Sequence, residues 1–354
     1  MKIIMTGGGT AGHITPNIAL MPRLRELGFE IHYIGTRTGM ERQLIETQGI
    51  PYHTISAGKL RRYFDFKNLT DIINISKGFF QAVNIITKVK PDIVFSKGGF
   101  VSCPVVWAAW FNKIPVIIHE SDFTPGLANK LSMPFAEKIC FTFPETRQYI
   151  KNNKGILTGI PVRESLYSGN PATGRELCGF TADKPVLMII GGSQGSGVLN
   201  SIVRLSLEEL LKEFQICHIC GKGGVDANLK GITGYSQFEY VNEELPHLFS
   251  MADLIVARAG STSLFEILAL KKPNLLIPLS KLVSRGDQIL NARSFEKQGF
   301  SRVLMEEDLN REAFLENIRQ VHSNRKVYTI SMSKSAFKKG IDEVTKVILD
   351  NCKK

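Results

Sequence analysis

The chain has 354 residues, too many for one ordinary core, which excludes a peptide, a disulfide scaffold or a lone binding module and makes two domains of roughly 150 to 180 residues the expectation. With 43% hydrophobic and 22% charged residues, 31 Gly and 15 Pro, the composition is globular and excludes wholesale disorder or a collagenous chain. A formal charge of +11 favours a polyanionic partner: nucleic acid, an acidic membrane surface or a phosphorylated ligand. Residues 1–160 carry 19 basic and 11 acidic residues, whereas 161–354 carry 25 and 22, so most of the positive field belongs to the first half.

Short β-branched runs alternate with helical patterns from the first residue. Lys2–Thr6, Glu30–Gly35, Asp92–Ser96, Pro115–Glu120 and Lys138–Phe143 read as buried strands, and between them apolar residues such as Ile18, Met21, Leu24 and Leu27 recur at helix spacing. Continuous apolar strands separated by helices specify a parallel sheet covered on both faces. A second series follows, with strands expected at Pro185–Gly191, Gln215–Gly221, Phe238–Val241, Asp253–Ala257, Asn274–Pro278 and Ser301–Met305. The fold class is therefore α/β, with two successive doubly wound parallel-sheet units. Gly and Pro punctuate Leu157–Gly174, which places the boundary near Gly159–Pro171, and Asn324–Lys354 reads as helix with no strand after it.

Six cysteines do not make a disulfide framework in a chain of this size, and the N-terminus runs straight into a strand without a signal peptide; both point to a reducing cytoplasm. Cys217 and Cys220 form a single CxxC within a strand, where three-residue spacing sends the side chains to opposite faces, so core packing is favoured over zinc. The longest apolar stretch, Val101–Ile118, is broken by Pro104, Asn112, Lys113 and Pro115, and no run of about 18 to 20 apolar residues is available to cross a bilayer.

The chemistry-bearing motifs lie at strand ends. The first strand runs into Gly7-Gly8-Gly9-Thr10-Ala11-Gly12-His13, where glycines permit close approach to a phosphate or sugar and a helix N-terminus supplies unpaired N–H donors. Gly7, Gly9 and Gly12 also satisfy G-x-G-x-x-G, but the second strand ends Gly35-Thr36-Arg37 with no acidic residue for a ribose, so only an NADP-type site using Arg37 survives. The His13 imidazole is suited to act as general base, the alternative being a capping or packing role. Lys97-Gly98-Gly99-Phe100 is a second glycine turn, and His119-Glu120-Ser121-Asp122 ends the next strand; adjacent strand residues face opposite ways, so no metal site is expected there.

In the second half, Gly191-Gly192-Ser193-Gln194-Gly195-Ser196 is another phosphate-type loop without the Lys of a Walker motif. Ala257-Arg258-Ala259-Gly260-Ser261-Thr262-Ser263-Leu264-Phe265-Glu266 opens a helix with three hydroxyl residues, an anion seat, although Ser263 and Glu266 also fit a capping box. Gln288 and Asn291 offer amides that suit sugar hydroxyls or could lie on the surface. Finally, Ile72, Ile75, Phe79, Val83 and Ile86, widened by Ile73 and Phe80, make an apolar arc fringed by Lys67, Lys77, Lys88 and Lys90 and preceded by Arg61, Arg62, Tyr63 and Phe64. Such an arc serves either a core-packed helix or a membrane-surface patch built on Ile75, Phe79, Phe80 and Lys77.

Taken together, Gly8 to His13, Gly98-Gly99-Phe100, His119-Glu120, Pro161-Val162-Arg163, Gly191 to Gly195, Gly260 to Glu266, and Gln288 with Asn291 resemble the MurG family of bacterial glycosyltransferases. The resemblance implies the GT-B architecture: two Rossmann-like domains across a cleft, residues 1–162 for the acceptor and the membrane, residues 163–337 for the UDP-sugar, and a C-terminal helix at about 338–354 packing back on the first. It implies an inverting, metal-independent transfer of N-acetylglucosamine from UDP-N-acetylglucosamine to lipid I at the cytoplasmic face of the membrane, by a peripheral protein with no cofactor and no nucleic-acid partner. It further assigns the uracil to the backbone near Val241, the ribose to Glu266, the diphosphate to Ser193 with Ser261, Thr262 and Ser263, and the sugar to Gln288 and Asn291. Gln194 joins that donor site, and Thr10, Ala11, Gly12 and Arg163 complete the cleft. Members often carry Gly at Ala11 and Asn at Ile160, and many carry Asn at Asp122; a carboxylate there leaves the base open between His13 and Asp122. The competing readings are an NADP-dependent oxidoreductase and a non-catalytic sugar-nucleotide or membrane-surface binding protein.

Overall fold

The computed structural model describes residues 1–58, 67–192, 195–335 and 339–353. It divides into two compact units, Met1–Arg163 with Phe337–Lys354, and Glu164–Ala336.

The first unit is built on seven parallel strands, β1 (Lys2–Thr6), β2 (Glu30–Thr36), β3 (Tyr52–Ile55), β4 (Ile93–Ser96), β5 (Val116–Glu120), β6 (Lys138–Phe141) and β7 (Gly155–Leu157), in the order β3-β2-β1-β4-β5-β6-β7. The central register sets Ile3 beside Ile31 and Ile93. Alternation then divides each strand between two cores. Ile3 and Met5 pack against the helix Thr15–Glu26, while Ile4 and Val94 face the helices Lys67–Val89 and Ser102–Phe111. The C-terminal helix Gly340–Asp350 belongs to the first of these cores, into which it buries Ile341, Val344, Val347 and Ile348.

The second unit has six parallel strands, β8 (Val186–Ile190), β9 (Gln215–Ile219), β10 (Tyr235–Phe238), β11 (Leu254–Ala257), β12 (Asn274–Leu276) and β13 (Arg302–Val303), ordered β10-β9-β8-β11-β12-β13. Two strands lie beyond the sequence expectation, and one is displaced. β3 and β7 are short edge strands with little of the apolar run that marks a buried one. β10 precedes the expected Phe238–Val241 because Tyr235 is the residue of this edge that is buried, pairing with Ile216 and stacking near His218.

The helix Lys67–Val89 settles which part of the apolar arc is core. Ile75, Ala82, Ile86 and Val89 are buried, and Gly78 brings the helix against the Ser56 carbonyl, where a Cβ would sit 2.0 Å from the oxygen. Ile75 is thus not part of an outward patch: it lines a cavity of about 160 Å³ with Gly58, Phe100, Cys103, Leu127, Ala128 and Leu131. The outward face carries Ile72, Ile73 and Phe80, the last 69% exposed, together with exposed Lys77. Among the described residues no helix is long and apolar enough to cross a membrane. Arg61, Arg62, Tyr63 and Phe64 lie outside the described residues, as does the side chain of Lys67.

In each sheet the strand order reverses once, between β1 and β4 and between β8 and β11. Open parallel sheets bind ligands outside the carboxyl ends of the strands at such a switch point. Each of the four strands concerned ends in one of the glycine-bearing segments singled out from the sequence.

Candidate functional site

At the first switch point the two glycine turns are pressed together. Gly8 N–H donates to the Gly98 carbonyl at 3.3 Å, and a Cβ on Gly99, whose φ is +89°, would sit 2.1 Å from the Gly8 carbonyl oxygen. Only glycine fits that approach. Beneath the loop, the Tyr33 hydroxyl donates to the Gly7 carbonyl at 2.7 Å. Fully buried Glu41 accepts from Gly9 N–H at 3.4 Å and from Thr36 through both N–H (3.1 Å) and Oγ1 (2.5 Å). This carboxylate, unremarked in the sequence, answers the NADP reading: it engages the loop's own amide, while Arg37 is an exposed residue on the far side of Thr36. A phosphate would meet an anion there rather than a set of waiting donors.

The loop continues into the short 3-10 turn Ala11–His13, which leaves Thr10 exposed and Ala11, Gly12 and His13 half-buried. His13 Nδ1 lies 3.2 Å from the Lys97 carbonyl oxygen. A carbonyl can only accept, so Nδ1 carries the proton in that bond and the lone pair belongs to Nε2.

Behind this turn, the end of β5 forms a charged cluster. Glu120 accepts from Asp122 N–H and Gly126 N–H, each at 3.0 Å, and from Asn129 Nδ2 at 2.8 Å. Burial pushes its carboxyl above the ordinary value, and the neighbouring Asp122 adds to that shift. His119 Nε2 lies 2.8 Å from the Gly159 carbonyl, and burial followed by the charge of Lys97 holds the imidazole well below its usual range. These contacts give Glu120 and His119 the task of fixing the β5 end, and they place Asp122, half-buried, at its mouth.

The second switch point is more open. Among the described residues, Gly192 and Gly260 have nothing within 4 Å of where a Cβ would stand. The helix Ser261–Ala269 begins with Gly260 as N-cap and no side-chain cap, so the anticipated capping box is not formed: Ser263 already lies inside the helix. Glu266 is buried in the helix's second turn, and Thr262 Oγ1 is a buried hydroxyl with no hydrogen-bond partner among the described residues. Gln288 and Asn291, on the helix Asp287–Lys297, clamp the peptide of Ala259: Gln288 Oε1 accepts from Ala259 N–H at 3.3 Å and from Leu279 N–H at 3.1 Å, and Asn291 Nδ2 donates to the Ala259 carbonyl at 3.2 Å. Neither is a free surface amide; Asn291 is fully buried.

Arg258 was passed over in the sequence because it sits inside an otherwise apolar strand end. It donates from Nη2 to Ser196 Oγ at 2.7 Å and from Nη1 to the Ile277 carbonyl at 3.1 Å, and it pairs with Glu306. Ser196 in turn caps the helix Gly197–Leu205. One buried guanidinium thus joins the segment after β8 to those after β11 and β12. Ser193 and Gln194 lie outside the described residues. Val241 is buried just beyond β10, with β9 and β8 between that strand and β11, and Arg163 is half-buried beyond β7 at the end of the first unit.

The geometry stands beside a consistent set of relatives. The family model described as the glycosyltransferase family 28 N-terminal domain matches residues 3–141, and that of the family 28 C-terminal domain matches residues 186–347. Over 347 residues the chain is 58% identical to a Clostridium tetani protein named UDP-N-acetylglucosamine--N-acetylmuramyl-(pentapeptide) pyrophosphoryl-undecaprenol N-acetylglucosamine transferase, covering 98% of this chain and 97% of the relative. A Clostridium novyi protein of the same name is 58% identical over 98% of each chain. Among solved structures, Acinetobacter baumannii MurG matches with a TM-score of 0.76 and 25% identity over 99% of each chain. The Neisseria meningitidis UDP-GlcNAc 2-epimerase, at 16% identity and a TM-score of 0.67 over 99% of this chain and 100% of that one, shares the fold.

Proposed function

The chain belongs to glycosyltransferase family 28, and from that premise we propose that it moves N-acetylglucosamine from UDP-N-acetylglucosamine to the C4 hydroxyl of the muramoyl sugar in undecaprenyl-pyrophosphoryl-MurNAc-pentapeptide, converting lipid I into lipid II for peptidoglycan. The observation that carries this is the 58% identity over 98% of the chain to transferases of that name. Both glycine-bearing switch points fall within the matched residues.

In this reading the second unit holds the donor. The open N-terminus of the helix Ser261–Ala269, with Ser261, Thr262 and Ser263, takes the diphosphate; Glu266 takes the ribose hydroxyls, and the backbone near Val241 the uracil. Gln288 and Asn291 act on the sugar chiefly by fixing the Ala259–Gly260 turn. Ser193 is assigned to the same diphosphate and Gln194 to the same donor site on the sequence motif alone.

The first unit supplies the base. His13 Nε2 takes the proton of the attacking hydroxyl; the new bond forms between that oxygen and the anomeric carbon as the bond from carbon to the UDP oxygen breaks, with inversion. Charge developing on the leaving diphosphate is met by helix-terminal N–H groups aimed at it, an effect worth about 2.7–4 kcal/mol per donor in comparable sites. Incubation of labelled UDP-N-acetylglucosamine with a lipid I analogue in EDTA yields the lipid-linked disaccharide. No product, or product only after a divalent ion is added back, overturns the reading or its metal-independent part respectively.

The acceptor is a membrane lipid, and the first unit carries the matching surface. Exposed Ile72, Ile73 and Phe80 lie on a helix whose Phe79 packs edge-on against exposed Phe111 at 6.0 Å, with Trp110 beside it and Lys77, Lys88 and Lys90 around it. Apolar side chains with a cationic fringe suit peripheral binding to an anionic leaflet, here the cytoplasmic one. Phe79→Ser/Phe80→Ser lowers binding to anionic vesicles roughly tenfold; binding insensitive both to that change and to salt removes the patch from the account.

A further inference from the structure

Lys97 is a buried charge that the mechanism above does not use. It follows β4, is 1% exposed, and contacts both candidate bases' surroundings at once. Its backbone carbonyl takes the Nδ1 proton of His13 at 3.2 Å, and its Cβ lies 3.1 Å from where a Cβ on Gly7 would stand. Its ammonium donates to the hydroxyl of buried Ser121, the residue between Glu120 and Asp122. An ammonium enclosed in this way is costly unless carboxylates balance it.

We propose that Lys97 is a positioning residue that works as one unit with Asp122: its ammonium balances the carboxylates at the end of β5 and anchors the Ser121–Asp122 turn, while its peptide carbonyl fixes the tautomer of His13. The inference rests on the transferase reading for what is being positioned, and on the Lys97–Ser121 hydrogen bond, with Glu120 and Asp122 on either side of Ser121, for the pairing.

The charged and titratable groups acting with the ammonium are Glu120, the last residue of β5, Asp122 just beyond it, and His119 within the strand; His13 meets the backbone carbonyl of Lys97. Burial brings Lys97 down to about 8, against the pull of Glu120 and then Asp122. Asp122, where many family members carry Asn, belongs to the same charge balance as Lys97 and Glu120; removing the ammonium leaves both carboxylates without their cation.

The test is a cycle of Lys97→Met, Asp122→Asn and the double variant in the full-length protein, read by thermal unfolding and by steady-state kinetics with UDP-N-acetylglucosamine and a lipid I analogue. Lys97→Met is expected to lower kcat about tenfold or more while leaving KM for the donor within about twofold, since the group acts on the base and not on donor binding. The acid limb of its kcat profile moves to higher pH, because carboxylates that lose a neighbouring cation protonate more readily. Lys97→Arg, which keeps the charge, retains the wild-type limb. In the melting temperature, Asp122→Asn is expected to recover part of what Lys97→Met loses, and if Lys97→Met alone does not fold, the double variant is expected to do so. Additive shifts in melting temperature, or a Lys97→Met enzyme with wild-type kcat and pH profile, overturn the proposal. The thermal cycle is readable without turnover, so a wild-type protein that transfers no sugar sinks the transferase reading, while additivity at residues 97 and 122 sinks the pairing.

Discussion

The two switch points share a strand order and a glycine vocabulary yet use both for opposite ends. In the first unit the glycines exist so that protein can touch protein: Gly7, Gly8, Gly9, Gly98 and Gly99 are all crowded, and the ground beneath them holds the buried charges Glu41, Lys97 and Glu120. In the second unit Gly191 and Gly195 are crowded in the same way, but among the described residues Gly192 and Gly260 face open space, and one buried guanidinium, Arg258, braces the segments from behind. A glycine turn at a helix start is therefore not by itself a phosphate site. Where its amides are already spent and a carboxylate sits under them, it serves as a rigid seat for a catalytic side chain. Where they open outward, it can receive an anion.

That contrast is most exposed to failure at His13. If the first unit seats the base and the second binds the donor, His13→Ala lowers kcat by about 10²–10⁴ while UDP affinity, measured by calorimetry, stays within about twofold of wild type. A small effect there, with a large one for Asp122→Asn, transfers the base to Asp122. The next largest effect is structural. Gly99→Ala combines a left-handed backbone at φ +89° with a Cβ placed 2.1 Å from the Gly8 carbonyl. It should cost roughly 3 kcal/mol of stability or more by denaturant unfolding. A variant as stable as wild type means the two turns are not locked together.

Much of this arrangement was legible in the sequence because it is periodic. The buried central strands announce themselves as apolar runs, and glycines at their ends mark the switch points. What was hidden follows from the same physics. β3 and β7 are edges, half-exposed and short, so burial never purified their composition. Glu41 sits in Met40–Glu46, a helix whose sequence reads as a charged surface, and only tertiary folding turns its carboxylate toward Gly9 and Thr36. Lys97 stood in plain view within its motif, but nothing in a single chain of letters says that its ammonium ends beside Ser121 rather than in water. Ile75 illustrates the reverse error. An arc wide enough for two faces was read as one patch, and the close approach permitted by Gly78 is what divides it into a core side and an outer side.

The smallest change offers the sharpest discrimination. Gly260 has φ −68° and ψ 134°, a conformation alanine adopts without strain, and its Cβ would meet nothing within 4 Å. As an N-cap, glycine is better than alanine, so Gly260→Ala should cost about 1 kcal/mol of stability, a small share of the total for a chain of this length. A methyl group in that space would nevertheless stand where a diphosphate must approach the first amides of the helix Ser261–Ala269. The affinity for UDP is then expected to fall about tenfold, equivalent to about 1.4 kcal/mol, with the melting temperature almost unchanged. The same kind of substitution would thus destabilise the first unit at Gly99 and merely obstruct the second at Gly260. If Gly260→Ala instead bound UDP as well as wild type, the open space would not be the diphosphate seat, and the difference between the two units would be one of packing alone.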